Sequence, residues 1–273
     1  MKHRLLLLLV LTGLFIPACS PRELDFPTRT PTPSLTPTET IVWFPPTPTQ
    51  TPFPTLVLSP TPDLLTDVGP VAIIDDFSQP FLWQPLKRPS GEIAFGSAEQ
   101  DIAISQPGGY LISLRYSPQL ADFYLEMDAS PNLCVNGDSY GLLLRVTSIQ
   151  DYIRFSLNCD GYLRVERVRS GEVTVLQDWS GSSQVRAGAP QTFHLGVWVR
   201  GSEMRFFVDG VYQFSVRDTL FDRGGVGIFA RSSGQTSVSV AFKNMVIHNL
   251  VGSQAIPTMV STRTQTPGPT KTP

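Results

Sequence analysis

The sequence predicts an all-β fold, a two-sheet antiparallel sandwich of jelly-roll type, flanked on both sides by segments that cannot form a core. Three observations predict it. Between residues 71 and 250, short runs alternate apolar and polar side chains, the period of a strand with one buried face. Clusters of Gly, Asp, Asn and Ser separate these runs at hairpin spacing. No stretch of the region holds apolar residues at a sustained helical period. About 180 residues of this kind suffice for one sandwich core, so the region reads as one domain.

The strands can be placed in order. Phe123, Leu125, Met127 and Ala129 alternate with Tyr124, Glu126, Asp128 and Ser130. A hairpin follows, with arms at 142–147 and 152–158 around Ser148-Ile149-Gln150-Asp151. In its second arm Ile153, Phe155, Leu157 and Cys159 take the core side, opposite Tyr152, Arg154, Ser156 and Asn158. Leu195, Val197 and Val199 alternate with His194, Gly196, Trp198 and Arg200. Met204, Phe206 and Val208 lead into Asp209-Gly210 and then Val211 to Val216; Asp-Gly between two such runs signals a two-residue hairpin turn. A last strand runs from about Val238 to His248.

The two ends read differently. The chain opens with basic Lys2 and Arg4, and an apolar run from Leu5 to Ile16 follows. That run is too short to span a bilayer stably and fits the core of a signal peptide. Ile16-Pro17-Ala18-Cys19 then resembles the bacterial lipobox, which implies cleavage before Cys19 and a diacylglycerol on its thiol. Residues 1–18 are therefore expected to be the signal peptide and Cys19 to anchor the chain to a membrane on the extracytoplasmic side of the cell envelope; an ordinary signal peptide with a chance cysteine is the alternative. Pro21 to Pro62 holds 12 Pro and 11 Thr, a composition that favours extended polyproline II over any core. At about 3.1 Å per residue this spacer reaches on the order of 100 Å. Residues 19–70 read as lipidated cysteine and disordered stalk, and 251–273 as a disordered Thr/Pro-rich tail.

Cysteine usage fits an exported protein. Beyond Cys19 only Cys134 and Cys159 remain. The predicted hairpin brings Cys159 near Tyr140, at the end where the Cys134 loop lies, so a disulfide is expected; two buried free thiols are the alternative. Residues 71–250 carry 18 acidic and 15 basic side chains, and the whole chain has a net charge of -2. That balance excludes a nucleic-acid partner of the usual basic kind.

Four segments carry a resemblance. Asp75-Asp76-Phe77 with Trp83 looks like an opening strand and its aromatic. Tyr140 to Arg145 with Asp151 to Phe155 looks like a central hairpin. Phe193 to Gly210 looks like a strand pair ending in an Asp-Gly turn, and Gly224 to Ile228 with Phe242 to Ile247 looks like closing strands. Together they resemble the concanavalin A-like lectin/glucanase superfamily, in the branch that holds laminin-G-like modules and 3-keto-disaccharide hydrolase domains. The resemblance implies carbohydrate or polysaccharide as the partner. Such folds often hold a structural calcium near their first and last strands, and Asp75 and Asp76 offer oxygen ligands at the first; two aspartates alone do not make a site, so no cofactor is expected, with calcium the one open option.

The glucanases of this superfamily place carboxylates as Glu-x-Asp-x-x-Glu on one strand. Here Glu126 and Asp128 match the first two positions, and Pro131 stands at the third, so the acid/base is missing. No Gly-x-Ser-x-Gly elbow is present, and the scattered His194 and His248 read as exposed strand residues. Gly224-Gly225-Val226-Gly227 runs into a strand rather than a helix and lacks the context of a phosphate loop. Sugars dock on aromatic faces and hydrogen-bond to planar polar groups. The outward positions Trp198, Tyr152, Arg154, Glu126 and Asp128, with Trp179 on a loop, are therefore the expected ligand contacts. The leading expectation is a lectin-like binding module without catalysis. A glycoside-acting enzyme related to the 3-keto-disaccharide hydrolases and a protein-binding adhesion module are the alternatives.

Overall fold

The computed structural model describes residues 63–234, 237–257 and 259–260. Cys19, the signal segment, the stalk up to residue 62 and the tail beyond 260 lie outside the described residues. In chain order the strands are β1 (Val68–Asp75), β2 (Leu86–Arg88), β3 (Gly91–Phe95), β4 (Gln100–Ile104), β5 (Tyr110–Leu120), β6 (Phe123–Leu133), β7 (Ser139–Ser148) and β8 (Asp151–Asn158). They continue as β9 (Tyr162–Arg169), β10 (Glu172–Gly181), β11 (Phe193–Arg200), β12 (Glu203–Val208), β13 (Val211–Arg217), β14 (Gly224–Arg231), β15 (Val238–Leu250) and β16 (Met259–Val260).

Two sheets form. One has ten strands, ordered β13-β12-β11-β6-β15-β4-β3-β2, with β1 beside β15 and β16 beside β1. The other has six, ordered β10-β9-β8-β7-β14-β5. All pairings are antiparallel except β1 with β16. The alternating runs bury their apolar sides between the sheets. Phe123, Leu125, Met127 and Ala129 meet Ile153, Phe155 and Leu157 in one cluster, and all are essentially inaccessible. Burying a side chain of this size contributes roughly 1.5–3 kcal/mol, which is what holds the two layers face to face.

The turns match their residues. Ser148 pairs with Asp151, leaving Ile149-Gln150 as the turn of the β7–β8 hairpin. Val208 pairs with Val211, and Asp209 and Gly210 between them both take positive φ, as a two-residue hairpin turn requires. Cys134 and Cys159 form a disulfide with Cα atoms 5.8 Å apart, and the Cys159 N–H donates to the Asp138 carbonyl beside it. The opening aromatic is also in place. The Trp83 indole N–H donates to Asp75 at 2.9 Å, and its ring lies 5.1 Å from that of Phe77.

The domain extends past both boundaries read from the sequence. β1 begins at Val68, and Leu64 and Leu65 pack on the sheet before it. After β15 the Ile256 N–H donates to Asn249 at 2.7 Å, and Met259–Val260 pairs with Ile73 and Ile74. A two-residue strand has no period to read, so only pairing geometry reveals it. Trp179, expected on a loop, lies within β10.

Candidate functional site

The six expected ligand residues do not converge. Glu126, Asp128 and Trp198 sit on the outer face of the ten-stranded sheet, whereas Tyr152 and Arg154 sit on the outer face of the six-stranded sheet. Trp179 is on the edge strand of that second sheet.

Three of them are buried, contrary to expectation, because large side chains on each outer face cover one another. Trp198 is only 3% exposed and packs with Tyr124, Phe207, Leu64 and Leu65. Its indole N–H donates to the Thr66 carbonyl at 2.9 Å, and the Arg205 guanidinium stacks 4.2 Å from its ring. Gly196 makes room for this layer, since a Cβ there would come within 2.8 Å of the Tyr124 hydroxyl. Tyr152 is likewise buried, with its hydroxyl 3.1 Å from that of Tyr110. Arg154 donates through Nε to Glu166 at 2.9 Å and lies over the rings of Tyr110 and Phe229. Trp198, Tyr152 and Arg154 therefore act in packing.

Glu126 and Asp128 are half-buried and enter a polar cluster. His194 Nδ1 lies 2.7 Å from Asp128, its Nε2 3.7 Å from Glu126, and His248 Nε2 3.4 Å from the other Glu126 oxygen. Asn244 donates to the second Asp128 oxygen at 2.7 Å. A β-bulge makes this last contact. Between the pairs Lys243↔Asp128 and Val246↔Glu126, β15 holds one residue more than β6, and Asn244 takes φ 54° there. Asn tolerates the left-handed region better than most residues, so Lys243 and Asn244 can both serve the outer face. Burial disfavours a charged His194, but the hydrogen bond and charge of Asp128, with Glu126 behind it, outweigh burial and raise its pKa.

Beside this cluster, across β6, β15 and β4, lies an open groove of about 570 Å³. Ser130, Asn132, Gln191, Thr192, Asp101 and Lys243 line it. The Ser130 and Thr192 hydroxyls are 2.9 Å apart, and Lys243 reaches Glu99 at 2.6 Å. The Asp101 carboxylate has no hydrogen bond or ion pair among the described residues, nor have the side-chain amides of Asn132 and Gln191. Burial, and then the charge of Glu99, push the Asp101 pKa up. Sequence reasoning missed these residues because they come from four separated segments and carry no common spacing.

Asp75 is wholly buried. Its carboxylate accepts from Arg115, from Trp83 and from the Phe77 N–H, so a guanidinium already supplies the positive charge that calcium would bring. Among the described residues no three His, Cys, Asp or Glu side chains are arranged to hold a metal ion.

No family model matches the chain, and no curated protein matches it. Solved structures do. The carbohydrate binding module CBM66 from Bacillus subtilis superposes with a TM-score of 0.50 at 14% identity, over 62% of this chain and 96% of the module. The likeness is one of fold, a two-sheet antiparallel sandwich. A β-glucanase from Bacillus licheniformis (TM-score 0.47, 12% identity, 64% of this chain and 96% of the enzyme) also matches. So does LamAcat from Zobellia galactanivorans (0.47, 9%, 66% and 97%). At these identities the likeness concerns the sandwich fold and its strands, and function has to be argued from the site.

Proposed function

We propose that the sandwich is a carbohydrate-binding module without a catalytic role. In this reading it is held on the extracytoplasmic side of a membrane by a lipid on Cys19 and by the Pro/Thr-rich stalk. The observation that carries it is the groove on the ten-stranded sheet. Asp101, Asn132 and Gln191 present planar polar groups that make no hydrogen bond among the described residues, next to the Ser130 and Thr192 hydroxyls. Such groups exchange hydrogen bonds with sugar hydroxyls, and several in one groove fix the orientation of a ligand. The carbohydrate binding module CBM66, to which the domain is similar in fold, supports the same reading. The missing third carboxylate supports binding over turnover, since Pro131 stands at that place and Glu126 and Asp128 are engaged by histidines.

The test is a glycan array probed with the purified chain, with Asp101→Ala beside it. Saturable binding that weakens about tenfold or more in the variant is expected; a charge-assisted hydrogen bond of 1.5–3 kcal/mol corresponds to that factor. Undiminished binding by Asp101→Ala would move the site out of the groove. A second reading, turnover of a glycoside, rests on His194, which Asp128 orients next to the groove. Release of sugar from a 3-keto-glycoside, abolished in His194→Gln, would establish it.

A further inference from the structure

The edge of the six-stranded sheet carries features that packing does not use. Leu163 and Val165 of β9 face the core, so Tyr162, Arg164 and Glu166 face outward. Tyr162 is 44% exposed, and Trp179 on the neighbouring β10 is 38% exposed. The Arg164 guanidinium lies 5.6 Å from the Trp179 ring centre. Its Nε is 3.1 Å from Glu166 and 3.6 Å from Asp178. Glu166 in turn accepts from Arg154. Arg164 is thus held between two carboxylates and an indole before anything binds. Neither the Trp179 indole N–H nor the Tyr162 hydroxyl has a partner among the described residues. Tyr162 pairs with Gly181, and its ring lies against that glycine, which has no side chain to cover it.

We infer that Tyr162, Arg164 and Trp179 form a second glycan-contact surface, separate from the groove, that takes pyranose rings of a polysaccharide chain. The two aromatics offer apolar faces with polar tips, and a fixed guanidinium with its carboxylates offers donors and acceptors between them. Tyr162 and Arg164 are two residues apart on one strand, so the contacts repeat at about 7 Å along the strip. The geometry disfavours an added protein strand. The β9–β10 register shifts between Val175 and Gln177 and again between Gln177 and Ser180, and such bulges break the even backbone ladder that strand addition needs. With the groove on the other sheet, two contact surfaces on one domain would give avidity on an insoluble polymer that a short oligosaccharide does not experience.

The experiment is a pull-down of the purified full chain on insoluble cellulose, chitin, xylan, β-glucan and peptidoglycan. Trp179→Ala, Tyr162→Ala and Trp179→Phe are compared with wild type, and Asp101→Ala reports the groove separately. At least one polymer should retain the wild type, with affinity falling about tenfold in Trp179→Ala and Tyr162→Ala and largely restored in Trp179→Phe. Thermal midpoints should fall by only a few degrees, since both rings are partly exposed. Polymer binding should also shift the tryptophan emission of the wild type, and less so in Trp179→Phe. Retention equal to wild type in both alanine variants overturns the inference, as does failure of the wild type to bind any polymer. Binding to an extended peptide, lost in Trp179→Ala, with no polymer retained, would overturn it in favour of strand addition. A loss confined to Asp101→Ala would leave only the groove.

Discussion

Asp128 and His194 show how one side-chain pair answers to pH. Alternation alone puts Asp128 on an outer face; it does not reveal that His194 on β11 lies directly opposite in the paired register. The folded His194 pKa is raised above its ordinary value near 6.5. A raised histidine stabilises the fold fully below the unfolded pKa, and that contribution is lost as pH rises through the folded one. Both groups are partly exposed, so solvent screening holds the effect to roughly 0.5–1 kcal/mol. His194→Gln should therefore lower the thermal midpoint by about 1–4 °C at pH 5.5 and by less at pH 8.5. A gap that stays constant, or that widens with pH, would show that the pair does not titrate in this way. His194 and His248 read from sequence as exposed strand residues because their carboxylate partners lie on another strand, 66 positions away for His194 and Asp128.

Among the elements, the segment from Asp63 to Asp67 is the one whose role was least legible. It has no strand period, yet it closes the outer face over β6, β11 and β12. Thr66 accepts from Trp198, Leu64 accepts from Arg205 at 2.9 Å, and Asp67 pairs with Arg200 at 2.8 Å. Sequence alternation gives Trp198 its outward direction correctly; what it omits is the segment that covers it. Trp198→Ala should cost about 3–5 kcal/mol in urea unfolding, while the folded fraction keeps wild-type glycan affinity. A variant of normal stability with lost binding would instead return Trp198 to the ligand surface. The β15 bulge is a second such case. Val238 to His248 reads as one strand, but the extra residue at Asn244 is visible only against β6.

For the whole molecule, the consequences lie in the proposed lipid anchor and in the Cys134–Cys159 link. If the lipid reading of Cys19 is right, Cys19→Ser should shift the protein from the membrane fraction to the soluble fraction, with its fold and glycan binding intact. Retention in the membrane fraction would point to another anchor. The Cys134–Cys159 link closes a loop of 25 residues between β6 and β8. Loop closure of that size contributes about 3–4 kcal/mol in the chain-entropy view.

The sequence by itself determined the sandwich, its hairpins and the disulfide, because these follow from local quantities. Period-2 alternation selects the buried side of Phe123 to Ala129, Asp-Gly selects the turn at 209–210, and hairpin register brings Cys159 to the Cys134 loop. Only the tertiary structure decided which outward residues stay outward. Trp198, Tyr152 and Arg154 obey the same alternation as Glu126 and Asp128, yet they are buried by partners distant in the chain. Asp101, Gln191 and Asn132 share no spacing, yet they meet at one groove. Alternation records which face of a strand a side chain occupies; whether another part of the chain covers that face depends on long-range packing, which no local period encodes.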